Sequence, residues 1–231
     1  MEWLTLLHGT ARDYAWGNPQ PDCLIARLLR ENQTPVGAGP WAELWMGDHV
    51  TGPSRIKNGS GNLRTLREES GRGELPFLFK ILDASQALSI QTHPDKTLAA
   101  QLHNADPQNY PDRNHKPEIA ICLANFKALS GFRPLEEINE FLQRLPALAR
   151  MAGLSYLSRP DDLGILLRSI LSRPADAIDE AITDLLERGR LDNAPFIDPM
   201  RKARATFGPD PGLFAFFYLN YVELKPGEAI F

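Results

Sequence analysis

The sequence predicts a mainly β protein that is interrupted by a block of α-helices. From Phe77 onward, apolar and polar residues alternate with the period of two that is typical of strands. After Pro134 the spacing of the apolar residues changes to about 3.6, the period of an amphipathic helix. Strand character returns near the end of the sequence. We therefore predict a strand-rich domain formed by residues 1–134 and 209–231, with a helical insertion over residues 135–208.

The residues before Phe77 predict short elements separated by turns and loops. In chain order these are a strand and an aromatic loop within residues 1–22, a short helix at Leu24 to Leu29, an alternating strand at Trp41 to Val50, and a charged, glycine-rich surface loop at Asn58 to Glu74. Trp16 lies in the aromatic loop, where a tryptophan beside a glycine is usually a packing residue. His49 is more simply interpreted as an exposed strand-end residue than as a metal ligand.

Three further strands are predicted in the middle of the chain. Phe77 to Leu82 forms the first, Asp83 to Gln86 supplies turn residues, and Leu88 to His93 is the return strand. The third strand runs from Lys116 to Leu123, after a helical stretch at residues 95–103. These strands position the polar side chains of greatest interest.

Polar side chains are predicted to gather on one face of these strands. Because successive strand residues point to opposite faces, Ser89, Gln91 and His93 share one face, and Lys116 shares a face with Glu118. One sheet face would then carry an amide, an imidazole, a carboxylate and an ammonium, with a second ammonium close by: Gln91, His93, Glu118, Lys116 and Lys80.

Two interpretations of this face remain open from the residues alone. A metal ion would offset the cost of gathering polar groups on an inner face, and His and Glu are ordinary zinc ligands, whereas an amide oxygen is a less common one. Alternatively, Gln91 and His93 lie on a solvated edge, and Glu118 pairs with Lys116.

The predicted helices after Pro134 follow three separate apolar patterns. They are centred on Leu135 to Leu145, on Leu163 to Leu171 after a Pro-Asp-Asp start signal, and on Ile178 to Leu186 after Pro174. A packed helical subdomain is the ordinary explanation for such leucine faces. Leu213 to Leu224 predicts a strand, followed by a turn at Lys225 to Glu228 and a new strand at Ala229.

Several motifs resemble one known family. The strings QTHPDK (residues 91–96) and NHKPEIAI (residues 114–121) resemble the signature segments of type I mannose-6-phosphate isomerase, the zinc-dependent phosphomannose isomerase of the cupin superfamily. Further matches occur in the same order as in the family: YAWG at 14–17, AELWMGDH at 42–49, GPS at 52–54, ALSGFRP at 128–134 and YVELKPGEAIF at 221–231. The resemblance extends over nearly all 231 residues but over only the first part of the family's length.

The resemblance implies a fold and a metal. The fold would be a cupin-type jelly-roll barrel, incomplete within this sequence, with the small helical domain inserted. One Zn²⁺ per chain would be bound by Gln91, His93 and Glu118. The fourth family ligand, a histidine, and an arginine regarded as catalytic have no counterpart in these 231 residues. We therefore expect a truncated chain that binds zinc loosely or not at all, lacks robust activity and self-associates through an open barrel edge.

The resemblance also implies a reaction, the interconversion of mannose 6-phosphate and fructose 6-phosphate. This aldose–ketose isomerisation needs a group that moves a proton between C1 and C2, an electrophile for the oxyanion and an anchor for the phosphate. Lys116 is the candidate catalytic residue, either for proton transfer or for oxyanion stabilisation. Lys80 and Ser89 are candidate phosphate or hydroxyl contacts, and Trp16 is a candidate at the rim of the sugar pocket.

The composition of the sequence argues against several classes of function. The net charge of −4 and the absence of a basic stripe argue against nucleic acid, and no apolar run approaches the length of a membrane helix. Cys23 and Cys122 form no disulfide framework, which is typical of a cytoplasmic protein, and the N-terminal residues lack the pattern of a signal peptide.

Two functions other than the isomerase remain open: a non-catalytic cupin that binds a sugar phosphate or a partner, and a cupin metalloenzyme of different chemistry. An iron oxygenase of the facial-triad kind would need two histidines and one carboxylate.

Overall fold

The computed structural model describes residues 5–57, 61–71, 74–187, 191 and 194–231. Its contacts divide the chain into two compact units, Met1–Leu88 and Ser89–Phe231. Among the described residues, no helix is long and apolar enough to cross a membrane.

The first unit is built from short strands and two helices. In chain order they are β1 (Leu7–His8), β2 (Thr10–Arg12), α1 (Leu24–Glu31), β3 (Glu43–Met46), β4 (Arg55–Lys57), β5 (Leu63–Thr65), α2 (Leu66–Ser70) and β6 (Phe79–Leu82). The strands form two antiparallel sheets, ordered β2-β3-β6 and β1-β4-β5.

The two faces of the β2-β3-β6 sheet differ in chemistry. One face carries Leu44 and Ile81, which pack with the buried residues Ile25 and Leu29 of α1 in a small apolar cluster. The opposite face carries the residues that alternate with these along each strand, among them Arg12, Glu43, Trp45 and Lys80. We call this opposite face the polar face of the sheet.

The second unit combines helices with two small sheets. Its elements are α3 (Lys96–Ala105), β7 (Ala120–Ile121), β8 (Phe126–Phe132), α4 (Leu135–Arg144), α5 (Pro146–Ala152), α6 (Asp162–Leu171), α7 (Ala175–Glu187), α8 (Ile197–Phe207), a 3₁₀ turn (Pro211–Phe214), α9 (Ala215–Tyr218), β9 (Leu219–Leu224) and β10 (Ala229–Ile230). β8 pairs with β9 and β7 pairs with β10, both antiparallel.

The core of the second unit lies among its helices. Apolar residues on the inner faces of α4 to α8 pack with the buried run Leu213–Tyr218 in one continuous cluster. Asn139 is a polar member of this core, and its amide both donates to the carbonyl oxygen of Leu157 (2.9 Å) and accepts from the Leu157 N–H (2.7 Å). Because both hydrogen-bonding functions of the amide are used, the buried polar group is satisfied.

The β8–β9 pair leads into and out of this helical core. A register shift between Ser130 and Phe132 marks a bulge, and Gly131 has φ +64, a left-handed conformation that glycine adopts without steric cost. The side-chain amide of Asn220 donates to the carbonyl oxygens of Ser130 and Phe132 at 3.2 and 3.0 Å. The bulge is therefore fixed by a side chain from the partner strand.

Several predicted elements are confirmed by the structure. The short helix at Leu24 to Leu29 is α1, and the three apolar patterns after Pro134 are α4, α6 and α7. The final turn and strand at Ala229 are also present, as β10. Strand and helix are mixed throughout both units, and the closure of the strands into a barrel and the proposed domain boundaries stay predictions.

The predicted return strand at Leu88 to His93 is wrong. These residues form neither a helix nor a ladder with another described strand. The reason lies in the predicted turn, because Ser85 donates from its backbone to the carbonyl oxygen of Trp16 (3.0 Å) and from its hydroxyl to that of Gly17 (2.8 Å). The chain after β6 therefore continues beside the aromatic loop and does not fold back as a hairpin.

Three other element predictions need correction. The strand predicted from Lys116 begins only at Ala120, because Pro117 has no N–H to give to a ladder. The first half of the strand predicted at Leu213 is helical, since Asp210 caps the Gly212 N–H at 2.7 Å and every residue of the run is buried. Part of the surface loop predicted at Asn58 to Glu74 is in fact β5 and α2. Residues 58–60 and 72–73 lie outside the described residues.

Candidate functional site

Two irregular segments of the second unit carry the predicted zinc ligands. One runs from Ser89 to the start of α3, and the other leads into β7. Each contains a proline, Pro94 and Pro117, which biases the residue before it towards an extended backbone. The Asp95 side chain accepts from the Leu98 N–H (2.8 Å) and so caps α3 two residues after His93. These local signals favour an extended backbone in both segments, and neither segment forms a ladder over residues 89–95 or 115–119.

The structure brings His93 and Glu118 into direct contact. The His93 Nε2 atom lies 3.1 Å from the Glu118 Oε2 atom, across a separation of 25 residues in the sequence. The two side chains are 30% and 59% exposed. A neutral His93 would donate its Nε2 proton to the carboxylate, and a metal ion could replace that proton.

Gln91, Ser89 and Lys116 are exposed on the same two segments. Their side chains make no hydrogen bond or ion pair with any residue that the structure describes. Glu118 therefore pairs with His93, and the alternative pairing of Glu118 with Lys116 is wrong. The convergence of Gln91 on the His93–Glu118 pair and the function of Lys116 stay predictions.

The His93–Glu118 pair fits a zinc site by donor type and by spacing. Two donors that bind one tetrahedral zinc at about 2.1 Å lie about 3.4 Å apart, close to the distance between the two donor atoms here. Within the described residues, no group of three or more His, Cys, Asp or Glu side chains is arranged to hold a metal. A third protein ligand taken from the described residues would be of another type, such as the amide of Gln91.

The remaining predicted residues belong to the first unit. Lys80 lies on the polar face, where its Nζ atom is 3.6 Å from the Glu43 Oε2 atom and 5.1 Å from the centre of the Trp45 ring. Trp16 is half-buried and stacks on Tyr14, with the ring centres 5.8 Å apart.

The backbone next to Trp16 is tightly packed. A Cβ atom on Gly17 would lie 2.6 Å from the backbone nitrogen of Ala42, so no larger residue fits there. The Trp16 side chain is thus presented from a loop whose backbone is hydrogen-bonded to Ser85 at Trp16 and to Trp41 at Asn18.

Sequence reasoning did not single out the polar-face residues around Lys80. Glu43 and Trp45 are both 7% exposed, and the Trp45 indole N–H donates to the Glu43 carboxylate. The available signal was a carboxylate in a strand that is otherwise apolar, two residues before a tryptophan. A buried charge at such a position requires partners, which the spacing of two places on the same face.

Comparison with known proteins identifies the family. Residues 4–135 match the description "Phosphomannose isomerase type I, catalytic domain", which is more than half of the chain. The chain belongs to the type I phosphomannose isomerase family. The resemblance inferred from the QTHPDK and NHKPE segments is thereby confirmed.

Individual relatives and solved structures also place the chain in this family. The mannose-6-phosphate isomerase of Schizosaccharomyces pombe is 34% identical over 255 residues, covering 95% of this chain and 61% of the relative. The human enzyme is 34% identical over 256 residues, covering 95% and 60%. A zinc-bound mannose 6-phosphate isomerase structure has a TM-score of 0.79 at 30% identity, and a Salmonella typhimurium structure bound to fructose 6-phosphate and zinc has 0.76 at 30% identity. Each covers 96% of this chain and 62% of the other. The chain spans about three-fifths of the length of these phosphomannose isomerases.

Proposed function

We propose that this chain carries zinc-binding and substrate-binding residues of an aldose–ketose isomerase that interconverts mannose 6-phosphate and fructose 6-phosphate. The observation that carries the proposal is the 3.1 Å contact between His93 and Glu118, because it joins the two family signature segments at the atoms that would bind a metal. Membership of the type I phosphomannose isomerase family supports the substrate class.

Zinc would be held by His93, Glu118 and the amide oxygen of Gln91. When bound, it would supply an electrophile for the oxygen that becomes negatively charged during the isomerisation. Glu118 supplies the negative charge of the site, and its exposure leaves room for a substrate or water at a further coordination position. The proposed site takes three protein ligands from these 231 residues.

Lys116 is the proposed catalytic residue. It lies two residues before Glu118, with Pro117 between them, and an extended backbone there would place both side chains on the same side. Its ammonium is exposed and has no partner among the described side chains, and it is therefore free to contact a substrate oxygen. At that position it can donate a proton to a developing oxyanion or, when neutral, accept one from carbon.

Substrate contacts are proposed for Lys80, Ser89 and Trp16. On the polar face of the first unit, two cations, Arg12 and Lys80, accompany one carboxylate, Glu43, which favours an anionic ligand such as a phosphate. Ser89 is exposed and offers a hydroxyl group, and Trp16 offers a half-buried indole for the apolar face of a sugar ring.

Self-association is proposed for the second unit. β7 and β10 form a two-stranded sheet, and Ile119, Ile121 and Leu123 are each more than 60% exposed beside it. An apolar sheet edge without further pairing in the described part of the chain is able to accept a strand from another copy.

A coupled isomerase assay on the 231-residue chain tests the proposal. Zinc-loaded protein should convert mannose 6-phosphate slowly, and Lys116→Ala should lower turnover at least about tenfold while zinc content is unchanged. Lys202→Ala, an exposed lysine on α8, is the matched control and should change neither quantity.

Each outcome of this assay is informative. Binding of zinc and fructose 6-phosphate without turnover would favour the non-catalytic cupin over the isomerase. Absence of zinc binding at any ratio of metal to protein would contradict the proposed site itself. Equal loss of zinc and turnover in Lys116→Ala would make Lys116 a structural neighbour of Glu118.

A further inference from the structure

The starting observation is a buried carboxylate outside the zinc-binding segments. Glu43 lies on β3, the central strand of the β2-β3-β6 sheet, and its side chain is 10% exposed. Charged groups are rarely buried unless they are paired and hydrogen-bonded. Glu43 therefore needs partners that stabilise its charge.

Its partners are fixed by strand geometry. Trp45 follows Glu43 by two residues and so shares the polar face, and the indole N–H donates to the Glu43 Oε2 atom. Trp45 is also the register partner of Lys80 on β6, which places the Lys80 Nζ atom 3.6 Å from the same oxygen. One carboxylate oxygen thus contacts both the indole and the ammonium.

Arg12 does not compete for this carboxylate. It is the register partner of Glu43 on β2, yet its guanidinium donates to the carbonyl oxygen of Thr51 at 2.9 Å and lies over the Trp45 ring at 4.7 Å. Lys80 is consequently the cation that is paired with Glu43.

The pairing restricts a side chain that would otherwise be mobile. Lysine carries its charge on a flexible four-carbon stem. Here the movement of the Lys80 ammonium is restricted by two neighbours. One is the Glu43 carboxylate, and the other is the face of the Trp45 ring, whose centre lies 5.1 Å from the ammonium nitrogen. The Lys80 side chain nevertheless keeps 31% exposure, and one contact with Glu43 leaves two N–H donors for a ligand.

We propose that Glu43 is a positioning residue, which together with the Trp45 indole holds the Lys80 ammonium ready for the phosphate or a hydroxyl group of the sugar phosphate. The inference rests on the proposed function, because it needs Lys80 to contact the substrate. Glu43 itself touches neither substrate nor metal in this scheme.

Nuclear magnetic resonance of the lysine ammonium groups tests the positioning directly. The Lys80 ¹⁵Nζ order parameter should exceed that of Lys202, an exposed lysine, in the wild-type chain. In Glu43→Gln it should fall to the Lys202 value, while the amide oxygen can still accept from the Trp45 indole. Equal mobility of Lys80 and Lys202 in the wild-type chain overturns the inference without any variant having to fold.

Calorimetric titration with fructose 6-phosphate tests the consequence for binding. Lys80→Ala should weaken binding about tenfold or more, and Glu43→Gln about threefold or more. In a chain that already carries Lys80→Ala, Glu43→Gln should weaken fructose 6-phosphate binding by less than a further factor of about two, because the two residues act as one unit. Independent, additive effects of the two substitutions would overturn the positioning role.

The two measurements separate this inference from the proposed function. If the wild-type chain fails to bind fructose 6-phosphate, the proposed function fails. The ammonium order parameters still decide whether Glu43 positions Lys80. If the wild-type chain binds fructose 6-phosphate and Lys80→Ala leaves the affinity unchanged, the ligand does not contact Lys80. Glu43 then has no positioning role in binding.

Discussion

The helical core and the candidate zinc segments of the second unit are built in opposite ways. In the core, large side chains such as Phe214, Phe217 and Ile182 are completely buried and pack in one continuous cluster. In the segments from Ser89 to Leu123, most side chains are exposed, and Ala99 is the buried residue of α3.

This contrast separates stability from chemistry within one unit. The core contributes the apolar burial that dominates the free energy of folding. The zinc segments contribute donors whose positions depend on two prolines, a helix cap and one His–Glu contact. Substitutions in the two regions should consequently change different measurable quantities.

The largest effect is expected from truncating the centre of the core. Phe217→Ala should lower the free energy of unfolding by about 3–5 kcal/mol, since it removes a fully buried ring that contacts the rings of Phe141 and Phe196. Chemical denaturation measures the loss. Phe207→Ala, at a half-exposed position, should cost much less, and equal costs would remove the contrast between buried and exposed sites.

A pH titration of stability probes the same core. Burial, with a smaller contribution from the charge of Asp210, raises the pKa of Tyr218 from 10.0 to about 12. Between these values the unfolded chain releases the Tyr218 proton while the folded chain keeps it. The contribution of Tyr218 to the free energy of unfolding is fully present below pH 10. It is lost as the pH rises towards 12, and the loss amounts to up to about 2–3 kcal/mol.

Tyr218→Phe identifies the source of that loss. It removes the titrating group but keeps the ring, so the decline in stability between pH 10 and 12 should largely disappear. Tyr156→Phe, at an exposed position, should leave the decline in place. A decline that persists in Tyr218→Phe would show that another group causes it.

In the zinc segments, the expected change is in metal affinity. Glu118→Gln removes the anionic ligand of the proposed site and should weaken zinc binding by more than about tenfold, as measured by competition with a chromophoric chelator. Because Glu118 is exposed, the unfolding free energy of the metal-free protein should change by less than about 0.5 kcal/mol. Glu136→Gln on α4 is the matched control. Unchanged affinity in Glu118→Gln would remove Glu118 from the site.

The smallest effect is expected at the cap of α3. Asp95→Ala removes the acceptor for the Leu98 N–H and should cost about 1 kcal/mol. Zinc affinity should fall modestly, because the cap fixes the backbone just after His93. Gln101→Ala, at an exposed position of the same helix, should change neither stability nor affinity. A fall in stability without any fall in zinc affinity would uncouple the cap from the zinc segments.

The helices were more predictable from the sequence than the strands. α4, α6 and α7 each repeat a long apolar period, whereas the segment after Ser85 was misread because its backbone bonds to Trp16 and Gly17, far away in the sequence. The strand predicted from Lys116 failed for a local reason, the missing N–H of Pro117, which the sequence did contain.

The candidate site was predictable where a motif joined distant residues. His93 and Glu118 were named as partners from the QTHPDK and NHKPE segments, and they are in contact. Glu43 was given no role in the site, because the contact between its buried carboxylate and Lys80 depends on the register of β3 with β6. Such a register is a tertiary property that no short window of sequence contains.

The β7–β10 pair has a consequence for the order of events during synthesis. Ala120 and Ile121 find their partners in Ile230 and Ala229, so the chain next to Glu118 has no ladder until these two late residues have left the ribosome. The helices between Leu135 and Phe207, and the buried run Leu213–Tyr218 that packs with them, all precede these two residues in the chain. A nascent chain would accordingly complete its helical core while the segment that carries Glu118 is still unanchored, and capture of zinc at the proposed site would be a late step in its maturation.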